Sequence, residues 1–424
     1  MRIDRLTIKN FNGFESCEFD FDPHFNLLVG DNATGKTSVL DALSIAIDSW
    51  FLGMKGSEKA GGIDTDQVRV VAFPHLDSVS FEKQFPARIE AHGFVMGHKL
   101  TWARELGHEQ GRTTSLEAKE LTTIASETSW RVRAGEQISI PLICSYGTER
   151  LWYESRHSRN KRKDESKSLS PSRLDGYRDC NFFEIQETAL LDWIRAQVSV
   201  GQQRGEETIA WRVMQRAIIE CVEGSVSLYW DERYKELIVT MDRLGEQMFR
   251  NLSDGQRIML TLVGDLAKRA ITLNPHLGDN VLKQTQGIVL IDELDLHLHP
   301  KWQRRVIHDL KRIFPEIQFI TTTHSPQLIG EALPNEIRVL TLGKVTTPVR
   351  SFGIDSSRIL TEVMHASPRN ADIEVLLSKL SKAIDKEDLE DAKKILKEVE
   401  AKLGEDDPEV TGANTLINLL ESTA

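Results

Sequence analysis

Apolar positions along this chain change period several times, and each change marks an element. Ile3, Leu6 and Ile8 read as a strand, and Phe11, Phe14, Phe19 and Phe21 extend it into a short hairpin-like stretch. Phe25 to Val29 is a continuous apolar run, the mark of a strand buried on both faces. From Ser38 to Asp48 the apolar residues Val39, Leu40, Leu43 and Ile47 recur at helical spacing. Residues 51–75 are Gly-rich and irregular. From about Val79 to Ile143 the pattern alternates, which predicts an antiparallel sheet broken by a polar stretch at 107–128. Pro141 to Tyr146 adds one more strand. Residues 154–180, rich in Ser, Lys and Arg, read as a mobile loop. Phe182 to about Ile219 reads as helical with Trp193 and Trp211 as anchors, and Val226 to Val239 returns to strands.

Residues 250 to about 350 read as helix, strand, helix, strand. In the tail, Leu389, Ala392, Ile395, Leu396, Val399 and Leu403 keep a helical period, and Gly404 suits a C-cap. Asp406-Asp407-Pro408 then punctuates before a final short helix. This tail predicts a solvated helical hairpin or, more sharply, an oligomerisation or partner-docking module. Sustained heptads are missing, so no long coiled coil is expected. The expected division is 1–153, 154–245, 246–352 and 353–424: a first lobe, a basic loop with a helical insertion, a second lobe and a helical interaction module.

Three of these elements end in chemistry. The run into Gly30-Asp31-Asn32-Ala33-Thr34-Gly35-Lys36-Thr37 fits the phosphate-binding loop pattern in its required strand–loop–helix context. Backbone N–H groups at Asn32, Gly35 and Ser38 then face phosphate oxygens, with the helix N-terminus behind them. Lys36 reaches the β- and γ-phosphates of ATP, and Thr37 ligates Mg²⁺ through its hydroxyl. Ile288 to Ile291 is a buried strand ending in Asp292-Glu293, a Walker B arrangement: Asp292 for the Mg²⁺ shell, Glu293 as general base on the attacking water. His324 follows the strand Ile317 to Thr322, where an imidazole can touch a γ-phosphate. A two-metal nuclease site built from Asp292, Glu293 and Asp295 is the rival use of those carboxylates. Leu252-Ser253-Asp254-Gly255-Gln256-Arg257 starts a helix with a hydroxyl and free N–H groups turned toward an anion.

Composition narrows the class. The chain has 424 residues, a formal charge of −11, and no apolar run near the ~20 residues that span a bilayer. Met1-Arg2-Ile3-Asp4-Arg5 lacks the apolar core of a signal peptide, so a cytoplasmic location without membrane contact is expected. An acidic chain does not coat DNA over its whole surface; DNA contact needs a local patch, for which Arg156, Arg159, Lys161, Arg162 and Lys163 are the candidates. Cys17, Cys144, Cys180 and Cys221 are too scattered for a zinc site or a disulfide framework.

The opening Ile3-Asp4-Arg5-Leu6-Thr7-Ile8-Lys9-Asn10-Phe11, with the four motifs above and, as a fifth, the loop Leu294 to Pro300, resembles the ATPase heads of the SMC/RecF class. The resemblance implies an α/β P-loop NTPase with ABC/SMC-head architecture: a mixed sheet lobe, a helical insertion and a C-terminal helical segment. It also implies that two heads sandwich ATP. Ser253, Gly255 and Gln256 would meet the γ-phosphate held by the other copy, and Asp295 and His297 would pack across that interface. One departure stands out. Such heads place a Gln after a central strand to sense Mg²⁺ and γ-phosphate, and the turn following Tyr146 has none; either Thr148, Glu149 or Arg150 substitutes, or that loop lies elsewhere in the chain. Tyr146 to Trp152, Ser172 to Tyr177 and Gly353 to Leu360 further resemble the ATPase subunit of Septu-type anti-phage systems, also found in some retron operons. That implies an HNH-type nuclease partner regulated by the ATPase. A RecF-like head acting on DNA and an ATP-dependent scaffold without turnover remain the alternatives. An OLD-type nuclease is not, because the residues after Ile359 are too few and too helical for a Toprim domain.

Overall fold

The computed structural model describes residues 1–54, 60–76, 78–148, 172–180, 187–341 and 343–423. They form two compact units, Met1–Asp355 and Ser356–Ala424. In chain order the first unit contains β1 (Arg2–Phe11), β2 (Phe14–Asp20), β3 (Phe25–Gly30), α1 (Lys36–Ile47), β4 (Val70–Pro74), β5 (Val79–Lys83), β6 (Ala87–Val95), β7 (His98–Leu106), α2 (Lys119–Arg133) and β8 (Leu142–Tyr146). It continues with α3 (Glu187–Arg204), α4 (Ile209–Cys221), β9 (Ser225–Asp231), β10 (Glu236–Met241), β11 (Gly245–Met248), α5 (Asp254–Leu273), β12 (Gly287–Ile291), α6 (Pro300–Ile313), β13 (Ile317–Thr322), β14 (Ile337–Thr341) and β15 (Lys344–Thr346).

The central sheet has the order β15-β14-β3-β13-β12-β8. From β14 to β8 every neighbour is parallel, and β15 returns antiparallel on β14. β3, β8, β12 and β13 are buried at every position, because layers cover both faces of such a sheet. That explains their unbroken apolar runs. A four-stranded antiparallel sheet, β2-β1-β6-β7, forms the second layer. Together these make the mixed α/β P-loop head that the sequence predicts. Among the described residues the longest helix is α5, at 20 residues.

Three expectations change. Residues 119–133 are helical rather than part of an interrupted sheet: Leu121, Ala125, Thr128 and Val132 are buried at a period of three to four. Two of those positions carry small or polar side chains, so hydrophobicity alone did not reveal the stripe. The end of the basic loop is packed, with Tyr177 and Cys180 fully buried and the Tyr177 hydroxyl donating to the Pro141 carbonyl at 2.7 Å. Arg156, Arg159, Lys161, Arg162 and Lys163 lie outside the described residues. Trp211 is buried as an anchor, whereas Trp193 is half-buried. All four cysteines are buried thiols.

The second unit is more than a hairpin. α7 (Ala371–Asp385), α8 (Leu389–Leu403) and α9 (Pro408–Thr423) surround a core of their own that includes Leu380, Leu396, Val399, Val410 and Ile417. Gly404 ends α8 at φ 89°, a backbone angle that glycine adopts at little cost.

Candidate functional site

The carboxyl ends of the parallel strands converge on one cavity of about 350 Å³, the usual ligand position in an open α/β sheet. From the loop after β3 it receives Asn32, Gly35, Lys36, Thr37 and Ser38. Asp292 and Glu293 enter from the end of β12, and Thr322 and His324 from the end of β13. Residues that lie far apart in the chain thus share one wall.

The loop is held open for an anion by backbone geometry. Gly35 caps α1 at φ 96°, and a Cβ there would meet the Phe14 ring at 2.6 Å. No side chain caps this helix, so its first N–H groups point into the cavity mouth. The Lys36 ammonium, 8 % exposed, donates to the carbonyls of Gly30 at 2.8 Å and Asp31 at 2.9 Å. Burial lowers its pKa, against the opposing charges of Asp292, Asp31 and Glu293.

Thr37 Oγ1 donates to Asp292 Oδ2 at 3.3 Å. A hydroxyl and a carboxylate oxygen side by side at the cavity edge form the all-oxygen donor set that Mg²⁺ takes, usually with waters and phosphate oxygens completing the shell. The residues present therefore fit the ion. Among the described residues, no group of three or more His, Cys, Asp or Glu is placed to hold a metal without such help.

Thr322 organises the acidic pair. Its hydroxyl donates to Asp292 Oδ1 and accepts the Glu293 N–H at 2.7 Å. The Leu294 N–H is fixed by the Thr322 carbonyl at 2.9 Å, and the Asp292 N–H by the Tyr146 carbonyl at 2.8 Å. Glu293 sits at φ 49°, a strained angle for a non-glycine residue and one that concentrates at functional sites. Sequence reading singled out His324 in this segment and passed over Thr322. The run Thr321-Thr322-Thr323 at a buried strand end was the signal, because three hydroxyls there need partners.

The other predicted residues stand elsewhere. Ser253 caps α5 in a capping box: its Oγ accepts the Gln256 N–H at 3.4 Å, and Gln256 Oε1 accepts the Ser253 N–H at 3.0 Å. Ser253 is exposed and lines no part of the phosphate cavity. Gly255 packs so closely on the loop after β12 that a Cβ would meet the His297 carbonyl at 3.3 Å. Asp295 accepts the Thr323 hydroxyl. Ser253, Gly255, Gln256, Asp295 and His297 are thus absent from the walls of the cavity that holds Lys36.

A buried network joins α5 to the cavity floor. The Tyr146 hydroxyl donates to Asp265 Oδ2 at 2.8 Å, and Arg269 Nε donates to the same oxygen at 2.7 Å. Arg269 also donates to the carbonyls of Gly176 and Arg178, at 3.1 and 2.9 Å. Burial works against the Asp265 charge, but Arg269 and Lys268 hold its carboxyl below the ordinary range.

An AAA-domain family model matches residues 5–197. A second, described as "AAA domain, putative AbiEii toxin, Type IV TA system", matches residues 104–330, more than half of the chain. The chain belongs to this family of AAA-domain proteins, and it is an ATPase. It is 26 % identical to the probable ATPase of retron Ec83 from Escherichia coli, over 87 % of this chain and 77 % of that protein. To the Septu protein PtuA of Bacillus thuringiensis it is 24 % identical, over 80 % of this chain and 75 % of the relative. A solved SMC head bound to the C-winged helix domain of ScpA aligns with a TM-score of 0.49 at 16 % identity, covering 82 % of this chain and 98 % of that one. No helix among the described residues is long and apolar enough to cross a membrane.

Proposed function

We propose that two copies of this chain close around two ATP molecules and that the closed state regulates an effector nuclease, of HNH type, in anti-phage defence. One observation carries the dimer reading. Lys36, Asp292, Glu293 and His324 share a cavity, while exposed Ser253 and half-buried Gly255 start a helix outside it. A second copy brings that N-terminus to the γ-phosphate, where its N–H groups and dipole favour negative charge. Asp295 and His297, on the loop packed against Gly255, then lie at the same interface.

Lys36 leaves the carbonyls of Gly30 and Asp31 to bind the β- and γ-phosphates. Glu293 takes a proton from the attacking water, and His324 orients that water against the γ-phosphorus. Thr37 and Asp292 would hold Mg²⁺, which when bound neutralises charge on the phosphate oxygens. Relatedness to retron and Septu ATPases supports the defence role. The separately packed second unit supports a docking module for the partner.

The test is Glu293→Gln. It is expected to bind ATP, to lose turnover, and to double in mass by light scattering when ATP is added, whereas Lys36→Ala stays monomeric. Wild-type turnover by Glu293→Gln, or no ATP-dependent change in mass, would overturn the mechanism. Purification from native cells under ATP, followed by mass spectrometry, tests the nuclease partner; recovery with repair proteins instead would refute it.

A further inference from the structure

Behind the phosphate cavity lies a second one, of about 290 Å³, that shares Thr37 and Asp292 with it. Its remaining polar walls are Asp41 and Ser44 of α1 with Ser145 and Thr148 at the end of β8. Asp41 follows Thr37 by one helical turn, so both side chains lie on the same face of α1. Ser145 alternates along β8 with Tyr146, whose hydroxyl is spent on α5, and so faces the opposite side of the sheet. Ser145 is only 2 % exposed, and its Oγ has no hydrogen-bond partner. Burial pushes the pKa of the Asp41 carboxyl up, and the like charge of Asp292 adds to it. The rest of the lining, Leu40, Tyr146 and Leu290 among it, is largely apolar, so the two carboxylates and the unpaired buried Ser145 hydroxyl must find their donors at one end of the cavity, which has room for water there.

We propose that Asp41 and Ser145 are positioning residues for the water ligands of the magnesium ion. Waters on the far side of the ion occupy the second cavity, donate hydrogens to Asp41 and satisfy Ser145 Oγ. The inference rests on the nucleotide-binding reading above.

The experiment measures Mn²⁺ binding to the full chain with ADP, by electron paramagnetic resonance, alongside binding of fluorescent ADP without metal. Asp41→Asn is nearly isosteric. It is expected to bind metal-free ADP as the wild type does, while the Mn²⁺ concentration at half-saturation rises about 10-fold or more, the usual effect of removing an outer-shell partner. Ser145→Ala is expected to shift it in the same direction by less, and it carries the test alone if Asp41→Asn does not fold. An unchanged Mn²⁺ requirement in both variants overturns the proposal, as does an equal loss of metal-free ADP binding, which would mark a packing role. If the wild type itself binds no ADP, the underlying nucleotide reading fails, and that outcome is recognisable from the wild-type arm alone.

Discussion

Replacing Arg269 with Met removes one half of a buried ion pair whose side chains are 10 % and 7 % exposed. Asp265 would keep the Tyr146 hydroxyl as its hydrogen-bond donor and Lys268 as the remaining favourable charge, and the carbonyls of Gly176 and Arg178 would lose their donor. Stranding a buried charge in this way costs about 3–5 kcal/mol. Tyr146→Phe removes one bond to a charged group and is expected to cost about 1.5–3 kcal/mol. The double variant Asp265→Leu/Arg269→Met leaves no stranded charge. Its cost is expected to fall below the sum of the two single losses by at least ~1 kcal/mol, the signature of direct coupling. Urea unfolding followed by tryptophan fluorescence isolates the first unit, because all 8 tryptophans precede Asp355. Hydrogen exchange at residues 172–180 reports whether that segment is released. The network also reaches the site, since the Tyr146 carbonyl holds the Asp292 N–H, so Arg269→Met is expected to slow turnover. A loss under ~1 kcal/mol for Arg269→Met, or strict additivity in the double variant, would refute this account.

Two further outcomes follow from the same geometry. Thr322→Val keeps the shape of the side chain and deletes the hydroxyl shared by Asp292 and Glu293; ATPase activity is expected to fall about 10- to 100-fold with little change in nucleotide affinity, and steady-state kinetics with a binding titration decide it. Asp265 has its folded-state pKa held below the ordinary 3.8, so its stabilisation is present above that value and is lost as pH falls through the folded pKa. Acid unfolding of the wild type should therefore be steeper below about pH 4 than that of Asp265→Asn, and equal slopes would show that Asp265 carries no part of it.

Local pattern carried a large share of this protein. The phosphate-binding loop between a buried strand and a helix, the helix start at Ser253 and the Gly404 helix end each depend on a few adjacent residues, so they were legible in order along the chain. The helix at 119–133 was not, because its buried stripe includes Ala125 and Thr128 and so lacked hydrophobic contrast. Nor was the packing of residues 172–180, whose partner Arg269 lies more than 90 positions away.

What tertiary structure alone decided is which side chains meet. Strand order in a parallel sheet is set by burying both faces, not by sequence neighbours. That order places β13 between β3 and β12, so Thr322 can join Asp292 to Glu293 beside the loop that holds Lys36. It also places β8 at the sheet edge with one face toward α1 and the other toward α5. Tyr146 therefore reaches Asp265, and Ser145 shares a cavity with Asp41. Periodicity says that a residue is buried; only the packed fold says against what.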